Sequence, residues 1–191
     1  MNTTSIMIVG VGGQGTLLAS KILGNVLVAK GCDVKLSEVH GMSQRGGSVV
    51  TYVKFGEKVY SPVIEIGEAD YILSFEALEA ARWVSYLKKG GKLITNTQKT
   101  YPMPVNTGAM AYPEDIIGKL SAKVDVIALD ALELALQAGS PKAVNLVLIG
   151  VLSAMTDIPE DAWINAIENT VPPKFLEMNK KAFALGRSYR Q

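Results

Sequence analysis

The sequence predicts an α/β fold in which an open, mainly parallel sheet lies between two layers of helices. Short apolar runs alternate with segments of helical periodicity along most of the chain. The first apolar run ends in a glycine-rich turn that leads straight into a helix, and the last third of the chain has helical periodicity only. At 191 residues the chain has the length of one domain, so we expect a single domain over residues 1–191 with a helical C-terminal tail.

The predicted strands follow from apolar or alternating runs that end at turn residues. Residues 5–9 form the first of these runs, and the next helix extends from Thr16 until Gly31 ends its periodicity. Further strands are predicted at 32–39, 48–55, 69–75, 92–97 and 124–130, with a short return strand within 55–60. The hairpin over 48–60 is expected to form an antiparallel edge of the sheet.

The remaining helices are predicted from apolar spacing, capping residues and the positions of proline and glycine. They are expected at 76–89, from Pro113, and at 131–138, 141–155, 159–169 and 173–187, with a loop over 101–112. Gly90 and Gly91 are expected to end the helix at 76–89, with lysines in its last turn.

The glycine-rich turn in IMIVGVGGQG carries the first functional signal. Gly10, Gly12 and Gly15 have the spacing of a dinucleotide-binding turn, and backbone N–H groups at a helix start favour an anion. Glu38 near the end of the second strand would suit the ribose of NAD. A freestanding NAD- or nucleotide-binding Rossmann-like protein is therefore one interpretation, and glycines that only permit close packing are another.

A second signal is the connection SEVHGMSQRGGSVV at residues 37–50, which joins two predicted strands at the expected ligand-binding edge. Arg45 followed by Gly46 and Gly47 presents a planar cation beside bare backbone, which suits a phosphate or a carboxylate. His40 is a possible catalytic proton donor, but a hydrogen-bonded structural histidine fits the sequence equally well.

Composition excludes several functional classes. The net charge of +1 without a basic run argues against nucleic acid and anionic membranes as partners, and the apolar stretch at 143–155 is too short to span a membrane. Cys32 is the only cysteine, so this chain cannot build a four-cysteine cluster or zinc site by itself. We therefore expect no metal site on this chain. The N-terminus shows no secretion signal, so we expect a cytoplasmic protein.

The two motifs together resemble the gamma-type subunits of the 2-oxoacid:ferredoxin oxidoreductases. The similarity rests on GVGGQGTLLASKIL at 10–23 and SEVHGMSQRGGSV at 37–49, and it extends through 69–91 and the helix that contains Asn145. The sequence HGMSQRGG is most similar to the indolepyruvate branch of that family. The resemblance implies a Rossmann-like domain whose cofactor-binding positions are Gly12, Gly13, Gln14, Gly15, Arg45, Gly46 and Gly47.

In such enzymes a 2-oxoacid is oxidatively decarboxylated on thiamine diphosphate, electrons pass through iron–sulfur clusters to ferredoxin, and the acyl group passes to coenzyme A. With one cysteine and no GDG motif, this chain is expected to leave thiamine diphosphate, Mg²⁺ and the 4Fe–4S clusters to a larger partner subunit. Its own expected part is to help to position coenzyme A or the substrate carboxylate. A purely structural subunit with an empty turn is the remaining alternative.

Overall fold

The computed structural model describes residues 3–40 and 47–189. Within these residues, six strands form one sheet in the order β2-β3-β1-β4-β5-β6. The strands are β1 (Thr4–Val11), β2 (Asp33–His40), β3 (Ser48–Gly56), β4 (Ala69–Ser74), β5 (Leu87–Asn96) and β6 (Asp125–Leu129). Strands β1, β4, β5 and β6 run parallel, whereas β3 is antiparallel to both β1 and β2. The predicted open, mainly parallel sheet is confirmed, and its antiparallel edge is formed by β2 and β3.

Helices cover both faces of this sheet. They are α1 (Thr16–Ala29), α2 (Ala77–Trp83), α3 (Met103–Asn106), α4 (Ile116–Ser121), α5 (Ala131–Ala138), α6 (Val144–Ser153), α7 (Glu160–Thr170) and α8 (Leu176–Arg187). Alternate side chains of β1 enter the two cores, with Ile6 and Ile8 packed on the side of α1 and α5–α8. Met7 and Val9 pack on the side of α2 and α4. The predicted three-layer arrangement is confirmed.

The helical C-terminal tail is also present, and its centre is α6. All ten residues of α6 are buried, because it lies among α1, α5, α8 and β5. A helix that is apolar on every side is stable only in such an interior position. Two of its residues are polar, Asn145 and Ser153, and Asn145 lies beneath the glycine turn.

The edge hairpin differs from the prediction. It is formed by β2 and β3, and residues 57–60 contain no strand, so the predicted return strand at 55–60 is wrong. The physical reason is that β3 has β1 on one side and β2 on the other, which leaves no free edge for a further strand. The segment after β3 is held instead by side chains, since the Val59 N–H donates to the Asp33 carboxylate at 2.9 Å.

The predicted helix at 76–89 is shorter than expected. Helix α2 ends at Trp83, a 3-10 turn follows, and Leu87 already begins β5. Gly90 and Gly91 therefore do not end the helix but form an irregularity in β5, where the pairing with β4 shifts register. Gly90 has a φ of +80°, and a Cβ on Gly91 would lie 2.9 Å from the Asp70 carbonyl oxygen.

Two smaller differences concern the segment before β6. The loop predicted over 101–112 contains the single helical turn of α3. Helix α4 starts at Ile116 rather than at Pro113, because the Asp115 carboxylate caps it by accepting from the Gly118 N–H at 3.2 Å.

Candidate functional site

The glycine turn lies at the carboxyl end of β1, at the point where the connections of the sheet change sides. After β1 the chain enters α1 on one face of the sheet, and after the neighbouring β4 it enters α2 on the other face. In open α/β sheets this switch point leaves a crevice in which ligands bind. Here the crevice is an open cleft of about 700 Å³, which we call the turn cleft.

Close packing explains why two of the fingerprint positions must be glycine. A Cβ on Gly10 would lie 2.9 Å from both the Gln14 Oε1 atom and the Phe75 Cβ atom. Gly15 has a φ of +88°, and a Cβ there would lie 2.8 Å from the Asn145 Nδ2 atom. The glycines at both ends of the turn thus allow the turn to pack against β4 and α6.

Gln14 braces the turn from within. Its Oε1 atom accepts from the Val11 N–H at 2.7 Å, and its Nε2 atom donates to the Phe75 carbonyl oxygen at 3.5 Å. Both ends of the amide therefore have partners in the protein. Gln14 was predicted from the sequence as a cofactor-binding residue, and the geometry gives it a role in holding the turn against β4.

Of the four backbone N–H groups in the turn, two donate hydrogen bonds within the protein and two have no acceptor among the described residues. The Gly12 N–H donates to the Gly47 carbonyl oxygen at 2.8 Å, and the Gln14 N–H donates to the Val11 carbonyl oxygen at 3.2 Å. Within residues 3–40 and 47–189, no acceptor bonds the N–H groups of Gly13 and Gly15. These donors, next to the positive end of the 14-residue helix α1, form a suitable site for an anion.

The second motif meets the first through Gly47, which accepts the hydrogen bond from Gly12. Arg45 and Gly46 lie outside the described residues, so their predicted roles stay predictions. His40 ends β2 and is exposed. It lines a second cleft of about 440 Å³ on the other side of the glycine turn, together with Glu38 and Leu17.

The position of Glu38 does not favour the NAD interpretation. In a dinucleotide-binding fold, the acidic residue for the ribose ends a strand close to the one that carries the glycine turn. Here β3 lies between β1 and β2, and Glu38 is paired with Thr51 of β3, which is paired in turn with Ile8 of β1. Two strand spacings, roughly 9 to 10 Å, therefore separate Glu38 from β1.

Two buried carboxylates near the same edge were missed by the sequence analysis. Glu76 is 1% exposed and caps α2 by accepting from the Glu79 N–H at 2.9 Å. Its other carboxylate oxygen accepts from the Thr100 N–H at 3.0 Å and from the Tyr112 hydroxyl at 2.7 Å. Burial, together with this hydrogen bond to Glu76, raises the pKa of Tyr112 well above its usual range.

Glu79, which is 4% exposed, connects α2 to the start of β3. One carboxylate oxygen accepts from the Ser48 hydroxyl at 2.5 Å and from the Trp83 indole N–H at 3.2 Å. The other accepts from the Arg82 Nε at 3.1 Å. The only sequence signal for either glutamate is its place in the first turn of a predicted helix, which also fits a simple cap.

The turn cleft also brings together residues that are far apart in the sequence. Besides Val11–Gly15, its lining includes Gln98 and Thr100 after β5 and Lys142 before α6. Among the described residues of this lining, Lys142 alone carries a formal charge, and its side chain is exposed. The sequence analysis missed all three, because nothing local distinguishes them from ordinary surface residues.

Comparison with known proteins identifies the family of this chain. Residues 5–189 match the family described as pyruvate ferredoxin/flavodoxin oxidoreductase. This chain belongs to that family. The indolepyruvate oxidoreductase subunit IorB of Thermococcus kodakarensis, one of its relatives, is 44% identical over 198 residues, which cover 97% of this chain and 95% of the relative. The predicted family resemblance is confirmed.

Solved structures show the same fold at lower identity. The pyruvate oxidoreductase subunit PORC of Thermotoga maritima has a TM-score of 0.75 at 23% identity, and the match covers 97% of this chain and 96% of that one. A 2-oxoglutarate:ferredoxin oxidoreductase of Magnetococcus marinus has a TM-score of 0.78 at 17% identity, over 98% of this chain. Only 31% of the Magnetococcus chain is covered, so the fold forms one part of a longer polypeptide there.

Over residues 3–40 and 47–189, no three His, Cys, Asp or Glu side chains come together in a group that could hold a metal ion. Among the same residues, no helix is long and apolar enough to cross a membrane. The placement of the clusters and of thiamine diphosphate on a partner stays a prediction.

Proposed function

We propose that this chain is the small, gamma-type subunit of an enzyme that oxidatively decarboxylates indolepyruvate or another aryl pyruvate to its acyl-coenzyme A. The chain acts as a single domain over residues 1–191. A larger partner subunit holds thiamine diphosphate, Mg²⁺ and 4Fe–4S clusters, and the complex passes electrons to ferredoxin. A cytoplasmic location suits both the lone thiol of Cys32 and this electron acceptor.

One observation carries the assignment, namely the 44% identity to an indolepyruvate oxidoreductase subunit over nearly the full length of both chains. The turn at Gly12–Gly15, the Gly47 contact and the α6 helix beneath them all belong to the matched region. The choice of an aryl pyruvate rests on the names of such relatives, since no described cleft selects an indole ring by its shape.

The role of the chain within the reaction is inferred from its anion site. Coenzyme A carries phosphate groups, and their oxygens can accept hydrogen bonds from the N–H groups of Gly13 and Gly15, which have no acceptor among the described residues. The same phosphates can pair with the positive charge of Lys142. Arg45 in the second loop supplies a further cation in this proposal. The subunit therefore binds and orients coenzyme A while the partner carries out the redox chemistry, with no catalytic step assigned to His40.

The test uses the assembled complex with Lys142→Ala and, separately, Arg45→Ala. Each change removes a cation from the phosphate-binding region, so the KM for coenzyme A is expected to rise about tenfold, which corresponds to roughly 1.4 kcal/mol. The KM for the 2-oxoacid is expected to stay unchanged. Steady-state reduction of an artificial acceptor, with each substrate varied in turn, measures both constants.

Lys123→Ala is the matched control, because Lys123 is also exposed but lies before β6, at the opposite edge of the sheet. It is expected to leave both KM values unchanged. If neither Lys142→Ala nor Arg45→Ala alters the kinetics of either substrate, the turn holds no coenzyme A, and the subunit has a purely structural role.

A further inference from the structure

The buried carboxylate of Glu79 and the glycine turn are joined by a short chain of contacts. Glu79 accepts from the Ser48 hydroxyl at 2.5 Å, and Gly47, the residue before Ser48, accepts from the Gly12 N–H at 2.8 Å. Gly47 and Ser48 thus lie between a fixed group on α2 and the first residue of the turn. A displacement of Ser48 would move the Gly47 carbonyl oxygen and, with it, the turn.

Glu79 is well suited to hold this position. Its carboxylate is fixed by the Trp83 indole at 3.2 Å and by Arg82 at 3.1 Å, and it lies in the first turn of α2, where a negative charge is favoured. A buried carboxylate needs its hydrogen-bond donors, because a lost donor leaves charge without compensation. Glu79 therefore holds the Ser48 hydroxyl strongly, although Ser48 itself is exposed.

The effect on the turn concerns its two open donors. The Gly47 carbonyl oxygen holds the N–H of the Val11–Gly12 peptide. The next peptide along the chain, Gly12–Gly13, carries the Gly13 N–H. Glycine has little conformational preference of its own, so adjacent glycines keep one orientation only when outside contacts restrain them. The Gly47 carbonyl is such a contact, and the next residue, Ser48, is held by its pairing with Val11 of β1 and by its hydrogen bond to Glu79.

We propose that Ser48 and Glu79 are positioning residues that hold the glycine turn in the conformation that binds coenzyme A. The inference rests on the proposed function, because it uses the turn as the coenzyme A site. Neither side chain touches the ligand in this proposal. Ser48 acts through Gly47, and Glu79 acts through Ser48.

The experiment compares Ser48→Ala with Ser48→Thr in the assembled complex. Loss of the hydroxyl is expected to raise the KM for coenzyme A about three- to tenfold, while kcat at saturating coenzyme A stays within about twofold of its original value. The decarboxylation step measured without coenzyme A is expected to be unchanged. Threonine keeps the hydroxyl and should restore the KM. Glu79→Gln keeps an acceptor oxygen and should give a smaller increase.

Ser121→Ala, a change of an exposed serine at the end of α4, is the matched control and is expected to have no effect. If Lys142→Ala raises the KM for coenzyme A but Ser48→Ala does not, the positioning inference is wrong and the proposed function stands. If none of Lys142→Ala, Arg45→Ala and Ser48→Ala moves the KM, the turn holds no coenzyme A, and both the positioning inference and the proposed coenzyme A role are wrong. If Ser48→Ala lowers kcat and the melting temperature without a change in KM, or if threonine fails to rescue, the contact has only a structural role.

Discussion

Gly13 and Gly15 share a left-handed backbone but differ in their surroundings, and this difference can be measured. Gly13 has a φ of +99°, and a Cβ there would meet none of the described atoms within 4 Å. Gly13→Ala therefore adds only the backbone cost of alanine in this region, about 1 to 2 kcal/mol. Gly15→Ala adds the same cost and also a contact with buried Asn145, so its total destabilisation is expected to be larger by about 1 to 3 kcal/mol.

Denaturant unfolding of the two variants measures this difference. Asn145→Ala combined with Gly15→Ala is the control, because it removes the side chain that the new Cβ would meet. The combined change should cost less than the sum of the two single changes, as expected for residues in contact. Equal costs for Gly13→Ala and Gly15→Ala would contradict the packing described for the end of the turn.

The same residues show what the sequence could predict of the site. The turn at Gly12–Gly15 was found because its chemistry is local, since a run of glycines between an apolar strand and a helix is typical of a tight turn that exposes backbone N–H groups. Lys142 and the Ser48–Glu79 contact cannot be predicted from the sequence, because each depends on segments that are far apart in the chain and come close only in the folded sheet. The assignment of Gln14 to the cofactor stays a prediction, and the part of its amide in holding the turn is revealed only by the position of Phe75.

Helices α6 and α8 cross with their backbones in direct contact at two glycines, Gly150 and Gly186. A Cβ on Gly150 would overlap the Phe183 carbonyl oxygen, and a Cβ on Gly186 would overlap the Val147 carbonyl oxygen. Both obstacles are backbone atoms, which cannot rotate away. Gly150→Ala is therefore expected to destabilise the protein by about 1 to 3 kcal/mol, even though alanine is the better helix former.

Gly24→Ala provides the control within α1, where the nearest atom to a new Cβ is 4.0 Å away. The same substitution there is expected to stabilise the protein by about 0.5 to 1 kcal/mol. Thermal unfolding measures both changes, at about 2 to 4 °C for each kcal/mol in a chain of this size. A melting temperature raised by both variants would show that the two helices are free to separate.

The elements also show where sequence patterns mislead. Helix α5 and strands β1 and β6 were predicted within one or two residues, because each has a clear period and clear end signals. Gly90 and Gly91 were misread, because a pair of glycines ends a helix or permits a bulge, and only the pairing of β5 with β4 distinguishes the two. The return strand failed because the sequence does not reveal that β1 and β2 occupy both edges of β3.

The carboxyl edge of the sheet combines a cleft with exposed apolar side chains. In the segment that follows Thr100, Tyr101, Met103 and Met110 are 53–72% exposed, although Thr100 itself lines the turn cleft. Methionine and aromatic side chains are common at protein interfaces. A partner that covers this edge would close the open turn cleft, and in the proposed function it would bring its own cofactor close to the coenzyme A site.

The chain alone is therefore expected to show no 2-oxoacid-dependent reduction of an artificial electron acceptor. Co-expression with the larger partner of the proposed function, which is expected to carry thiamine diphosphate and the clusters, should restore this reaction and make it dependent on coenzyme A. The physical reason is that a chain with one cysteine cannot build a four-cysteine cluster, so electrons have no path within it. Acceptor reduction by the separate and the co-purified proteins, at equal concentrations, is the measurement.

A binding titration of the isolated chain with NAD tests the alternative of a freestanding NAD-binding protein. The insertion of β3 between β1 and β2 places Glu38 one strand further from β1 than the acidic residue of a dinucleotide-binding fold, so NAD is expected to bind no more tightly than millimolar. Stoichiometric binding at micromolar concentration would overturn the subunit assignment, since it would give the turn a ligand that the isolated chain holds without a partner. If the isolated chain does not bind NAD in this way and activity appears only after assembly with the partner, the result supports a glycine turn that takes part in the reaction of the assembled complex.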